Sequence, residues 1–267
     1  MSRERSQRGA RGRRGRRSEP RSIWARPEPA ARRPAHSRDA IARAAIRIAD
    51  TEGFDALTMR RVASELGAGT MTLYHYVRTK DELLALVDNA LMGELLIPAG
   101  ELPAGWRAGI EEIARRTRDV FVRHPWVVEM PKHVDDGPNG TLHFEQSLAV
   151  MAETGLPNAE CLELIVLVDD YVFGYVERFN PIHEFLGEGP ARLADRYSGE
   201  LAARLAKLDP DTFPNLLALF ADEEPREALV RFLDLALDPT RFDRGLELVL
   251  DGIEQHVERA RRIGDVP

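Results

Sequence analysis

Apolar residues recur at helical intervals from Ser37 to the end of this chain. Ile41, Ala44, Ala45 and Ile48 form the inner stripe of a first helix that Ser37 caps and Gly53 stops. Val62, Ala63 and Leu66 line a short second helix behind Thr58, whose hydroxyl suits an N-cap. Gly67 and Gly69 bracket a turn that accepts left-handed backbone angles without steric penalty. The third helix, residues 70–77, has only Leu73 and Val77 as an inward i, i+4 pair. Its other positions, Thr70, Thr72, Tyr74, His75 and Tyr76, are hydrogen-bonding or aromatic. A helix that hides so little of itself is offered to something outside it. The arrangement suits a helix-turn-helix whose second helix enters a DNA major groove.

Thr79-Lys80-Asp81-Glu82 is a capping box opening a fourth helix, which runs to about Leu96 and ends before Pro98. That helix connects the two halves of the chain. From Pro103 onward the pattern stays helical. Residues 104–124 carry Ile110, Ile113, Thr117, Val120 and Phe121 on one face, with Glu111/Arg115 and Glu112/Arg116 as i, i+4 pairs elsewhere. Pro125 and Pro131 flank a short segment, and residues 135–140 read as a loop. Helices follow at about 141–154, 158–179, 190–207, 212–221, 225–237 and 240–262. No alternation supports a sheet and no internal repeat is present, so the expected fold class is all-α.

The organisation expected is a disordered Arg-rich arm over residues 1–36, a helix-turn-helix domain over 37–83, and a helical effector-binding and dimerisation domain over 84–267. Residues 1–36 are rich in Arg, Gly, Pro and Ser, with little apolar surface to offset ordering entropy. Helix 160–179 is apolar almost all round, from Leu162 and Leu164–Val168 to Tyr171–Phe173 and Val176, and needs partners on both sides. Helix 240–262 has a cleaner stripe of Phe242, Leu246, Val249, Leu250, Ile253 and Val257. Together they suggest a homodimer through a four-helix bundle; the alternative is that helix 160–179 is the core helix of a monomer.

Charge sharpens this picture. The net charge is −7, yet residues 1–36 hold 12 arginines against 3 acids, leaving 25 basic and 41 acidic residues for the rest. An acidic body repels DNA, as expected if only one end approaches it. One cysteine, Cys161, excludes an internal disulfide and fits a reducing compartment. No apolar run approaches the roughly 20 residues that span a bilayer, and no apolar stretch follows the arginine run, so a cytoplasmic location is expected.

Residues 37–85 resemble the DNA-binding domain of the tetracycline-repressor (TetR-type) family of bacterial regulators. The resemblance rests on Glu52-Gly53-Phe54, on Leu57-Thr58-Met59-Arg60-Arg61-Val62-Ala63, and on Leu66-Gly67. It continues through Thr72-Leu73-Tyr74-His75-Tyr76-Val77 and Lys80-Asp81-Glu82-Leu83-Leu84. It implies a dimeric DNA-binding regulator, a repressor released from its operator by a small, largely apolar molecule. The same dimer interface is implied, and with it a palindromic double-stranded operator. The family's glutamine and proline are expected where this chain has Thr70 and Met71, so no operator sequence carries over.

Phosphate contacts set position and base contacts set sequence. Arg60 is the residue suited to a bidentate bond to guanine O6/N7. Thr70, Met71, Thr72 and His75 lie on the outer or leading face of the reading helix, where methyl groups and hydroxyls meet base edges. Thr58, Tyr74, Tyr76 and Lys80 suit phosphates; for Tyr74 and Tyr76, packing against the first helix is the alternative. The arginine arm reaches an adjacent minor groove, adds nonspecific affinity, or is a tail without a specific role.

Residues 121–180 offer aromatic walls with a few convergent polar groups, the make-up of a small-molecule pocket. Trp126, Met130, His143, Gln146, Ser147, Asp170, Tyr171 and Glu177 are the effector-contact candidates, with core packing the alternative for Trp126 and Met130. The resemblance places an effector cavity there, with Gly174 matching a glycine of the family's central helix, but implies neither tetracycline nor magnesium for this chain. Asp169-Asp170 interrupts an apolar helix, which is costly unless the pair is hydrogen-bonded, paired or protonated. The doublet also resembles the aspartate-rich metal motif of helical terpene synthases, but the second metal motif is missing. No nucleophile, base and orienter share a plausible spacing, so no catalytic site, cofactor or resident metal is expected. Other readings are an activator, a regulator that needs its ligand to bind DNA, and a helical ligand-binding protein that does not bind DNA.

Overall fold

A computed structural model describes residues 22–29, 37–131, 137–185 and 189–264. Among these, a 3-10 turn (Ile23–Ala25) precedes α1 (Arg38–Glu52), α2 (Met59–Glu65), α3 (Thr70–Tyr76) and α4 (Lys80–Leu95). The second half follows as α5 (Trp106–Arg123), α6 (Pro138–Ala152), α7 (Asn158–Phe185), α8 (Pro190–Leu205), α9 (Pro214–Ala218), α10 (Pro225–Leu237) and α11 (Arg241–Gly264). The described residues contain no strand, and no helix among them is long and apolar enough to cross a membrane. The fold is all-α, a helix-turn-helix unit followed by a larger helical unit.

Local chemistry sets the helix ends. The Ser37, Thr58 and Thr79 hydroxyls accept hydrogen bonds from the amides of Ala40, Arg61 and Glu82, so all three expected caps form. Gly53, at φ 86°, ends α1 in a conformation that a side chain would strain. The capping box at α4 is not fully reciprocal: Glu82 accepts from the Arg78 amide, one residue before the cap. α6 begins at Pro138, inside the loop expected over 135–140, because proline suits the first helical position.

α4 is buried along Leu83–Val87, since α1 lies on one side and α5 and α6 on others. α5 turns Ile110, Ile113, Thr117, Val120 and Phe121 inward, as its pattern requires. Glu111/Arg115 forms as an ion pair, whereas Arg116 reaches the Glu94 carbonyl on α4 instead of Glu112. α7 buries Cys161, Ile165, Val168, Val172 and Val176, and α11 buries Phe242, Leu246, Leu250, Ile253 and Val257. Leu193, Ala194 and Ala228 are buried between α8 and α10, apart from the main core.

The N-terminal expectation needs correction. Residues 22–29 are not a disordered tail: Ile23 is 1% exposed and belongs to the main core, with Trp24 packed beside it. Ile23-Trp24 is a pair of large apolar side chains in an otherwise Arg- and Pro-rich run, and burying it offsets the ordering cost. Residues 1–21 and 30–36 lie outside the described residues.

α7 and α11 approach closely at Gly245. A β-carbon there would lie 2.9 Å from Tyr171 Cζ, on a ring whose hydroxyl donates to the Phe242 carbonyl at 2.7 Å. Gly245→Ala should therefore destabilise the protein by about 1–3 kcal/mol, the usual cost of overpacking. Urea unfolding, compared with Gly252→Ala, where the added carbon meets nothing within 4 Å, checks it.

Candidate nucleic-acid interface

α3 is anchored by Leu73, Tyr76 and Val77 and otherwise faces outward. Met71 is 81% exposed, and Thr72, Tyr74 and His75 are exposed with it; Thr70 is half-buried at the leading turn. Of the two expectations for Tyr76, phosphate contact and packing, the second holds: it is only 5% exposed, and its ring packs into the core with the His75 ring edge-on at 5.7 Å. An aromatic at that position completes the anchor, because Leu73 and Val77 alone leave the helix's inner face too narrow. On α2 the two arginines divide. Arg61 is held by Glu52 and Glu65 at 2.6 and 3.0 Å, and those bonds raise its pKa and lower that of Glu52. Arg60 is exposed and makes no ion pair among the described residues. The Thr58 oxygen is engaged as a cap, leaving its hydroxyl proton to donate; Lys80 is exposed, with its ammonium 5.5 Å over the Phe54 ring.

Behind this face, α1 and α4 run parallel and are tied together at both ends. At one end Arg26 of the N-terminal segment bonds Glu82 of α4 at 2.6 Å, while the Arg38 guanidinium of α1 donates to the carbonyls of Ile23 and Arg26. At the other end Asp50 of α1 accepts from His124 Nδ1 and Trp126 Nε1, both at 2.7 Å. His124 Nε2 lies 3.5 Å from Glu94 on α4, and Glu94 pairs with Arg123 at 2.8 Å. Trp126 also stacks against Phe54 and meets the His124 ring edge-on. These contacts latch the reading head to the end of α5. Sequence reasoning missed Asp50, Glu94 and His124; His124-Pro125-Trp126 at a helix end was the available signal.

The latch decides between the two expectations for Trp126, effector contact and core packing, in favour of packing. Trp126 is 3% exposed, and its one polar group is spent on Asp50. Gln146 is likewise occupied: its amide clamps both the N–H and the carbonyl of Ile97, at 3.2 and 2.7 Å. The Tyr171 hydroxyl is bound by Phe242, and Ser147 is buried against the His143 carbonyl. Met130 is half-buried at the core, and Asp170 and Glu177 are exposed on the protomer. His143 retains an unengaged polar atom: its buried Nδ1 has no partner among the described residues, and burial lowers its pKa.

Comparison with known proteins agrees with this geometry. The model for bacterial regulatory proteins of the tetR family matches residues 41–87, and that for the tetracyclin repressor-like C-terminal domain matches residues 99–257. The chain belongs to the TetR family. It is a DNA-binding transcriptional regulator of that family. It is 32% identical over 230 residues to the HTH-type transcriptional repressor DrrR1 of Streptomyces coeruleorubidus, covering 86% of this chain and 81% of that one. An HTH-type transcriptional regulator of Saccharopolyspora erythraea is 34% identical over 159 residues, 59% of this chain and 67% of the relative. Among solved structures, the TetR-family protein ActR of Streptomyces coelicolor in complex with actinorhodin superposes with a TM-score of 0.62. The identity there is 28%, over 82% of this chain and 96% of that one.

In this TetR-family chain the acidic doublet of α7 is split. Asp170 is exposed and Asp169 half-buried, and the described residues hold no cluster of three metal-ligating side chains. Burial, and secondarily the charge of Asp170, push Asp169 up to about 6 from 3.8. A carboxyl whose folded pKa is raised binds its proton more tightly folded than unfolded. Its favourable contribution is therefore full below about 3.8 and lost as pH rises through about 6. Asp169→Asn removes the charge that is costly at neutral pH. We expect it to stabilise by about 1–2 kcal/mol at pH 8, discounted for partial exposure, and to be near neutral at pH 4. Chemical denaturation at the two pH values measures this; an equal effect at both would contradict it.

Proposed function

We infer that the protein is a cytoplasmic, homodimeric repressor that binds a palindromic operator and releases it when a small, largely apolar molecule occupies the C-terminal domain. The observation that carries this is the outward face of α3, with Met71, Thr72, Tyr74 and His75 exposed beside Arg60, which has no ion pair among the described residues. In this reading Arg60 and the α3 side chains touch base edges, while Thr58 and Lys80 hold phosphates. Support for the dimer comes from large apolar side chains left uncovered on one protomer: Leu162, Val166 and Phe173 on α7, and Leu248 on α11, which is 74% exposed. Such residues on two neighbouring helices mark a self-association face. The two-fold axis then places paired α3 helices about 34–36 Å apart, one turn of DNA.

Because a structural relative is solved with actinorhodin, that compound is the first effector to try. Release requires differential affinity, and about 100-fold derepression corresponds to about 2.7 kcal/mol. The first test is a mobility shift with DNA from the region upstream of the protein's own gene, against unrelated competitor. We expect specific retention, and Arg60→Ala should relax preference at one base pair per half-site by about 1–3 kcal/mol. Equal affinity for upstream and unrelated DNA would refute the reading.

The Asp50 latch is the proposed route from effector to head. Asp50→Ala should leave actinorhodin's effect on thermal unfolding in place while reducing, severalfold, the change in operator affinity that the compound produces. An unaltered ratio of liganded to free operator affinity would remove the latch from the coupling path.

A further inference from the structure

α4 belongs to both halves of the protein. Its first half, Leu83–Val87, is buried with the head, and its second half lies along α6. There the two helices meet through side chains aimed at each other's backbone. Asn89 of α4 accepts from the Asn139 amide at 2.9 Å, and the Asn139 side chain donates back to the Asn89 carbonyl at 2.8 Å. Further along, Gln146 of α6 accepts from the Ile97 amide and donates to the Ile97 carbonyl. Asn89 and Ile97 are eight residues apart and Asn139 and Gln146 seven, so the seam covers about 10–12 Å of each chain. α4 and α6 therefore run in the same direction, in matched register.

Each contact closes a helix end that the helix itself leaves open. α6 starts at Gly137-Pro138: glycine offers no capping side chain and proline has no N–H, so Asn139 carries the first amide within the helix. Asn89 supplies from α4 the acceptor that an N-cap residue would give. At the other end α4 leaves helical geometry at Leu96. Ile97 is 3% exposed, and without Gln146 it would bury both backbone groups unpartnered. The backbones approach this closely because glycines line the seam. A β-carbon on Gly137 would lie 2.6 Å from Asn89 Cβ, and one on Gly93 would lie 2.7 Å from Asn139 Nδ2. A slip of one residue moves these groups by about 1.5 Å along the axis, enough to break all four hydrogen bonds.

We propose that Asn89 and Asn139 are positioning residues for operator recognition: they lock α6 to the connector in one register, so that α6 sets the posture in which α4 presents the reading head. The Asp50 latch fixes α1 to the end of α5, whereas this seam fixes α4 to α6, so the head receives two separate inputs from the C-terminal half. The inference rests on the operator reading of α3, and its test is separable from it. The chemistry of the clasp is asymmetric. The Asn139 amide can only donate and the Asn89 carbonyl can only accept, so Asn89 enters the seam as an acceptor and Asn139 as a donor. Asn89→Asp keeps its acceptor and adds a charge that a helix N-terminus favours. Asn139→Asp sets a carboxylate oxygen against the Asn89 carbonyl, two acceptors with no proton between them, although an acid in a first turn ordinarily helps a helix.

The experiment uses the full-length protein and the variants Asn89→Asp, Asn89→Ala and Asn139→Asp, with Gly245→Ala as a destabilised control remote from the seam. Fluorescence anisotropy gives the ratio of affinities for the upstream duplex and an unrelated duplex. Asn89→Asp should keep the parent's ratio within about twofold, the usual scatter of neutral changes. Asn89→Ala and Asn139→Asp should lower it about tenfold, the scale of one hydrogen bond lost from a buried backbone group. Their affinity for the unrelated duplex should hold, since phosphate contacts do not need paired heads in register. Gly245→Ala should leave the ratio unchanged. A parental ratio in Asn139→Asp, or an equal fall in Gly245→Ala, overturns the proposal. If Asn139→Asp does not fold, Asn89→Ala against Asn89→Asp carries the same comparison, and equal ratios overturn it. A parent protein without preference for upstream DNA would refute the operator reading instead. Hydrogen exchange without DNA then decides the seam: Asn89→Ala should speed exchange at residues 139–142 and also on α3, and acceleration confined to α6 overturns the coupling.

Discussion

One carboxylate oxygen, Asp50 Oδ1, receives N–H hydrogen bonds from His124 and Trp126, and the seat of the reading head depends on it. A carboxylate only accepts, so the imidazole proton lies on Nδ1 and the indole adds the second donor. His124 and Trp126 are both buried, so neither donor finds water if Asp50 withdraws. Each would then cost about 1–3 kcal/mol as an unsatisfied group. That is large against the few kcal/mol by which two conformations of a switch differ. The latch is thus either closed or broken, with no intermediate arrangement of comparable energy, which is the property a two-state coupling element needs.

The covalent connection through α4 does not do this alone. α4 is a rod packed on α1, α5 and α6, and a rod transmits translation well but leaves rotation about its own axis to be fixed by side contacts. Asp50 supplies that contact from α1, and Glu94, bound to Arg123 and near His124, supplies it from α4. The paired helices are consequently held to the end of α5 as a unit. Phe54 stacked on Trp126, with Lys80 above it, ties the same point to the start of α4.

Much of this was legible in the amino-acid pattern, because the signals involved are local. The Ser37, Thr58 and Thr79 caps, the Gly53 stop and the inward stripe of α5 each depend on residues within a turn or two. The poverty of α3's inner face was visible too, although the pattern counted Tyr76 with the outer residues: a tyrosine carries an apolar ring and a polar tip, and spacing does not say which governs. The effector residues were harder for a different reason. Trp126, Gln146 and Tyr171 have the composition of a pocket wall, yet each is engaged by a group 76, 49 or 71 positions away. Composition reveals that an aromatic or amide is present, whereas its partner is set by tertiary packing. The same holds for residues 22–29, whose ordering follows from one apolar pair finding the core.

The two ties on the α1/α4 pair would give the proposed switch its mechanical scale. With the latch at one end and the DNA-side turns about 18 Å away, a rotation of about 5° at the junction moves the far end by about 1.6 Å. Hydrogen bonds to base edges tolerate a few tenths of an ångström before they weaken. In the proposed dimer, a displacement of that size in each protomer, doubled by two-fold symmetry, would take paired α3 helices out of register with successive grooves. Salt-dependent phosphate contacts are far less sensitive to angle, since a point charge beside a polyanion has no single required geometry. A regulator built this way therefore loses its sequence-specific grip before its electrostatic one, and release begins with the bases rather than the backbone.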